Sequence, residues 1–169
     1  MARRSSGHEE KMMQRQRPSL GATGALATTL FLGVCVAPIM AHHSFAMYDQ
    51  TKTVVLTGVL TRFVAQANHA EIHFVPLDAN GKPVRGSDGK PTSWGVEMAG
   101  AAAVATQGIT VKSFPAGTIF SVKLNPLRDG SNFGSRVGAL AKCPKDKVPM
   151  PGKHCDSIEG AEILGGTAF

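Results

Sequence analysis

The chain lacks the local signatures of the common enzyme classes. It has no Gly-x-Ser-x-Gly elbow, no phosphate-cradling glycine loop followed by Lys, no His-Glu-x-x-His and no Cys-x-x-Cys. Those spacings are what place a nucleophile, a phosphate or a metal on a local element. A nucleophile also needs a base oriented beside it, and no Ser or Cys here has one that the sequence identifies. The chain therefore reads first as a non-enzymatic module, with an enzyme whose site is not local in sequence, gathering Glu97, His69 and Arg128, as an alternative. Internal repeats are missing too. Cysteine is scarce, at three residues in 169, and tryptophan occurs once.

What is present begins with an apolar run from Leu20 to Ala41, preceded by Arg3, Arg4, Lys11, Arg15 and Arg17. The run closes on Pro38-Ile39-Met40-Ala41 and gives way to His42-His43-Ser44-Phe45. A basic start, an apolar centre and a small closing residue have the layout of a helical signal peptide over 1–41, cleaved after Ala41. A retained anchor is the rival reading. The run approaches the roughly 18 residues of a membrane span, but Gly21, Thr23, Gly24, Thr28, Thr29, Gly33 and Pro38 dilute it. The expected product is a periplasmic or secreted domain, 42–169, with no stable membrane anchor.

Removing that leader changes the charge argument. The whole chain has 18 Lys+Arg and 12 Asp+Glu. Five of the basic and two of the acidic residues precede residue 42, which leaves 13 against 10. So small a surplus gives little electrostatic support to a nucleic-acid partner. Cys35 leaves with the leader, and Cys143 and Cys155 are then an even pair in an oxidising compartment, which reads as a disulfide. It would close the Pro- and Lys-rich loop 143–155. Zinc is the rival, but Cys-x11-Cys with only His154 nearby falls short of four ligands.

The domain core spans about 52–142. The segment 44–52 is an entry with Phe45 and Tyr48 as anchors. The stretch 53–63 is rich in β-branched residues and predicts a first strand, with Gly58 in mid-run marking a bulge or bend. Alternation over 71–77 predicts a second strand, and 93–98 a third. The alanine-rich 99–107 predicts a short helix stopped at Gly108. The stretches 118–124 and 135–143 predict strands four and five around the breaker-rich loop 125–132, and 159–164 a last short strand. The whole is mainly β. Its order is that of the OB-fold, a five-stranded barrel with one short helix between strands three and four. A sandwich uses strands at similar spacing and is the alternative.

Five motifs occur in sequence along this domain: His42-His43-Ser44-Phe45, Leu56-Thr57-Gly58-Val59-Leu60-Thr61, Asn68-His69-Ala70, Trp94-Gly95-Val96-Glu97-Met98 and Arg128-Asp129-Gly130-Ser131. Together they resemble a family of small exported bacterial proteins known as a domain of unknown function, number 6152. The resemblance implies export and one β domain and carries no activity. The Cys143–Cys155 segment lies outside the family pattern.

Candidate site residues follow from the barrel reading. The OB ligand surface uses strands two and three with the loops after strands one and four, which here carry Asn68-His69 and Arg128-Asp129. Arg128 offers a forked cation to an anionic group, although turn chemistry alone accounts for these residue types. Trp94 and Glu97 sit on opposite faces of the third strand, Glu97 toward solvent or a cation such as Arg62 or Arg128. The expected partner is a protein surface or a small anionic ligand. A metal reading uses His42 and His43 at a new amino terminus, whose nitrogen donors suit copper. His69, Glu71 and His73 at alternate positions form a second possible donor set.

Overall fold

β-Branched and aromatic residues at alternate positions build strands that curl into a closed barrel in the computed structural model, which describes residues 43–167 and 169. The proposed leader, its cleavage point and His42 lie outside the described residues. The elements are a helical turn α1 (His43–Ala46), β1 (Val54–Val64), β2 (Glu71–Pro76), β3 (Trp94–Glu97), α2 (Ala101–Ala105), β4 (Ile119–Pro126), β5 (Phe133–Lys142), a 3-10 turn (Cys155–Ser157) and β6 (Glu162–Leu164).

The long first strand does double duty. Residues 54–59 of β1 run antiparallel to β4, and residues 58–64 run antiparallel to β2. β2 then pairs with β3, β4 with β5, and β3 closes the ring by a parallel pairing with the start of β5. This mixed five-stranded closure, with α2 between β3 and β4, is the OB arrangement expected from the sequence. The short β6 extends the far half of β5.

The core fills the barrel. Leu60, Ile72, Phe74, Val96, Phe120, Val122, Leu124 and Leu140 point inward, and Val104 from α2 with Ile109 and Phe114 closes the cluster. Phe120 meets Phe74 and Phe114 edge-on, at centroid distances of 5.1 and 6.1 Å. Each such side chain contributes about 1.5–3 kcal/mol by leaving water. Along β2 the burial alternates strictly, so Ile72 and Phe74 face the core while Glu71 and His73 face outward. Among the described residues the buried side chains run from Tyr48 onward, and 42–169 is a compact unit with a core of its own.

Several sequence expectations need correction. Gly58 is not a bulge; the register shift lies between Leu60 and Arg62. At Gly58 a Cβ would run into the Phe74 ring, so the glycine is there to let that ring lie on the backbone. The helix is five residues rather than nine, because its first amide binds the Gln66 carbonyl and Gly108 turns left-handed at its end. Asn125 and Pro126 belong to β4, not to the following loop. Phe45 does not anchor the entry segment: it is 56% exposed, whereas Tyr48 is 1% exposed.

The predicted disulfide is present between Cys143 and Cys155. Its loop is fastened to the barrel by polar contacts as well. Ser121, a fully buried hydroxyl on β4, accepts the Cys155 amide at 2.9 Å and shares a 2.6 Å hydrogen bond with Thr57. Thr57 in turn lies 3.0 Å from His154 Nδ1. A buried hydroxyl without such partners would destabilise the barrel.

Candidate functional site

On the outer face of β2 and β3 the register sets Glu71 directly opposite Glu97 and His73 opposite Gly95. Two carboxylates facing each other across a ladder repel. Each is answered by an imidazole. His69, in the loop before β2, brings Nδ1 to 3.3 Å from Glu97 Oε1, and His73 brings Nε2 to 3.0 Å from Glu71 Oε2. Arg62 Nη2 stands 3.3 Å from the same His73 nitrogen. Protonated, that nitrogen donates to Glu71; deprotonated, it accepts from Arg62.

The second oxygen of Glu97 is taken by a residue far away in sequence. Tyr48 donates its hydroxyl to Glu97 Oε2 at 3.2 Å. Burial pushes the Tyr48 phenol well above its ordinary 10.0, and the charge and hydrogen bond of Glu97, then the charge of Glu71, push it further. Tyr48 is therefore a fixed donor.

The entry segment positions that tyrosine. Tyr48 bridges Leu127, the Asp49 amide binds the Pro126 carbonyl, and the Arg128 amide binds the Met47 carbonyl. The Arg128 side chain adds a bond from Nε to the Ala46 carbonyl at 3.1 Å. Asp129 accepts the Ser131 amide at 2.8 Å, which holds its carboxyl below the usual carboxylate range and shapes the turn with Gly130 at φ 80°. Arg128 thus clamps the entry segment across the barrel wall, and Asp129 shapes the turn that follows it.

The residues singled out from sequence fall into three positions. His69 and Glu97 meet directly. Arg128 reaches the cluster indirectly, through its bonds to Ala46 and Met47 beside Tyr48, and Asp129 bonds within its own turn. Trp94 is turned to the other side of β3, where it packs against the core at the barrel rim. Asn68 sits in the loop that receives α2, its carbonyl close to Gly100. His69, Glu71 and His73 do not act as one strand-face triad, because His69 lies before β2 and turns to β3. Glu97 is paired to neither Arg62 nor Arg128. Among the described residues no group of three His, Cys, Asp or Glu side chains is gathered closely enough to hold a metal ion.

The sequence offers Tyr48 as an anchor, but nothing local signals its partner 49 residues away. Arg136 was missed. It is half-buried on β5, bonded to Gln107 Oε1, and its Nη1 has no partner among the described residues. Burial lowers the pKa of that guanidinium. The hydroxyl–imidazole contact found among the described residues, Thr57 with His154, serves to dock the disulfide loop.

The model of a family described as "Family of unknown function (DUF6152)" matches residues 31–136, more than half of the chain. The match takes in β1 to β4, the β2–β3 face and Arg128–Asp129, and stops within β5 before the disulfide loop. No curated protein and no solved structure matches the chain.

Proposed function

Since the chain belongs to the Family of unknown function (DUF6152), which supplies no activity, we propose its role from the barrel itself: an exported, non-enzymatic binding module. Its ligand face is the outer side of β2 and β3, between the loop carrying His69 and the loop carrying Arg128. The carrying observation is the cluster of Glu71, Glu97, His69, His73 and Tyr48 on that wall. Like charges held opposite each other oppose folding, and the hydrophobic core does not need them. A polar cluster that the core does not require, gathered on the face an OB barrel uses for its ligand, supports reading that wall as a surface for a partner.

The chemistry of the face selects the partner. Two adjacent carboxylates favour a basic group and disfavour an anion, so a protein surface presenting Lys or Arg fits better than a small anionic ligand. Tyr48 holds Glu97 in one orientation, which lowers the ordering cost on binding. Export is supported by the leader layout and by a disulfide, which persists in oxidising compartments.

A photo-reactive residue at position 73, introduced in cells, tests the face. We expect discrete adducts that Glu97→Gln weakens, and none from a probe at Lys90 on the 86–90 turn. Identical adducts from both positions would remove the proposal. Mass measurement of the purified protein tests export separately, with His42 as the expected first residue.

A further inference from the structure

We propose that the β2–β3 wall is proton-gated: it holds a basic partner while its two imidazoles are neutral and releases that partner when they are protonated. This rests on, and deepens, the reading of the wall as a surface for Lys or Arg side chains. Arg62 comes to it from β1, Glu71 and His73 from β2, Glu97 from β3, and His69 from the loop before β2. With neutral imidazoles the two carboxylates outweigh Arg62, and these groups together carry one negative charge. With both imidazoles protonated they carry one positive charge. The wall therefore reverses sign. Imidazole is the side chain whose charge ordinarily changes between about pH 5 and 8, where carboxylates and guanidinium groups ordinarily keep theirs.

The contacts make each proton count. His73 Nε2 lies between Glu71 Oε2 at 3.0 Å and Arg62 Nη2 at 3.3 Å, and one nitrogen cannot serve both. Carrying a proton it donates to Glu71; without one it accepts from Arg62 and leaves Glu71 to a partner. His69 Nδ1 stands 3.3 Å from Glu97 Oε1, the oxygen that Tyr48 does not take. Protonated, His69 sets a full positive charge against that oxygen. A permanent cation beside each carboxylate would neutralise it at every pH, whereas an imidazole does so only when protonated. Glu97, His73 and Glu71 retain 17, 22 and 28% of their side-chain exposure, so their charges are screened less than those of a fully exposed surface. Among the described residues, what else faces the pairs adds no charge over this range. Tyr48, whose phenol burial holds neutral, reaches Glu97 from the entry segment, and Gly95, covered by the Phe133 ring, lies beside His73. A bound cation and the bound protons thus compete, and the competition is reciprocal.

Fluorescence anisotropy of a labelled oligolysine peptide with oxidised 42–169, which has its own core, tests the gate at about pH 8 and about pH 5.5 and one ionic strength. Affinity should fall about threefold to tenfold at the lower pH, the scale of two partly exposed ion pairs. Peptide binding in weak buffer near about pH 6.5 should release protons, as linkage requires. His69→Gln/His73→Gln should erase the difference between the two pH values. Thermal midpoints at each pH separate a lost gate from lost folding. Affinity that ignores pH, or that falls as far in the double variant as in the parent, would overturn the gate and leave the binding surface standing. No binding at either pH, or binding that Glu71→Gln/Glu97→Gln does not weaken, would overturn the gate together with the reading on which it rests.

Discussion

Tyr48 ties the entry segment, the barrel wall and the candidate face together, and it is the chain's only tyrosine. Its ionisation can therefore be watched by phenolate absorbance without interference. Its folded pKa is raised above the ordinary 10.0, first by burial and then by Glu97. A raised acid contributes stability that is fully present below the unfolded pKa. That contribution is lost as pH rises from about 10 toward the folded value. Native protein should consequently show almost no phenolate at pH 10–11, and the signal should appear together with unfolding. Glu97→Gln should bring the titration to lower pH. A reversible midpoint near 10 in the folded protein would show that the phenol is not held as described.

At the scale of elements, glycines in strands mark places where a ring approaches the backbone. Gly58 on β1 faces the Phe74 ring, and a Cβ there would also come within 2.7 Å of the Val75 carbonyl oxygen. Gly95 on β3 is covered in the same way by the Phe133 ring, beside His73. Gly58→Ala should destabilise the barrel by about 1–3 kcal/mol, the usual cost of overpacking a close contact. Denaturant titration followed by the single tryptophan would read it, because Trp94 packs at the core rim. An unchanged midpoint would mean that Phe74 can move aside. Alternation and β-branching made β1, β2 and β3 legible in the sequence, since those patterns directly encode inward and outward faces. The helix is shorter than 99–107 because alanine propensity marks a helical stretch without marking its ends. Docking against Gln66, not propensity, fixes where it begins.

For the whole molecule, two hydrophobic clusters carry unequal weight. The main one fills the barrel; a smaller one gathers Ala141, Cys143 and Cys155 with Ile119, Ile158 and Phe169. Reducing Cys143–Cys155 should lower stability by about 2–4 kcal/mol yet leave the barrel folded, since none of the main cluster depends on the bond. Denaturation with and without reductant, again read by Trp94, separates the two. Collapse of the barrel on reduction alone would contradict this division. An unaltered midpoint would contradict the contribution of the loop. The pairing itself was readable from cysteine count and the expected compartment. The loop's attachment was not, because Ser121 and Thr57 look like ordinary strand residues until β1 and β4 bring them under His154.

The sequence by itself determined the strands, the glycine stop after α2, the cysteine partners and the regions from which a site could come. Those features depend on local pattern or on counting, and a linear string carries both. The tertiary structure alone decided that His69 meets Glu97, that Trp94 turns to the core rim, that Arg128 clamps the entry segment, and that Tyr48 completes the face. Each of those pairings joins residues on separate elements, and only closure of the barrel between β3 and β5 fixes which side chains then share a wall.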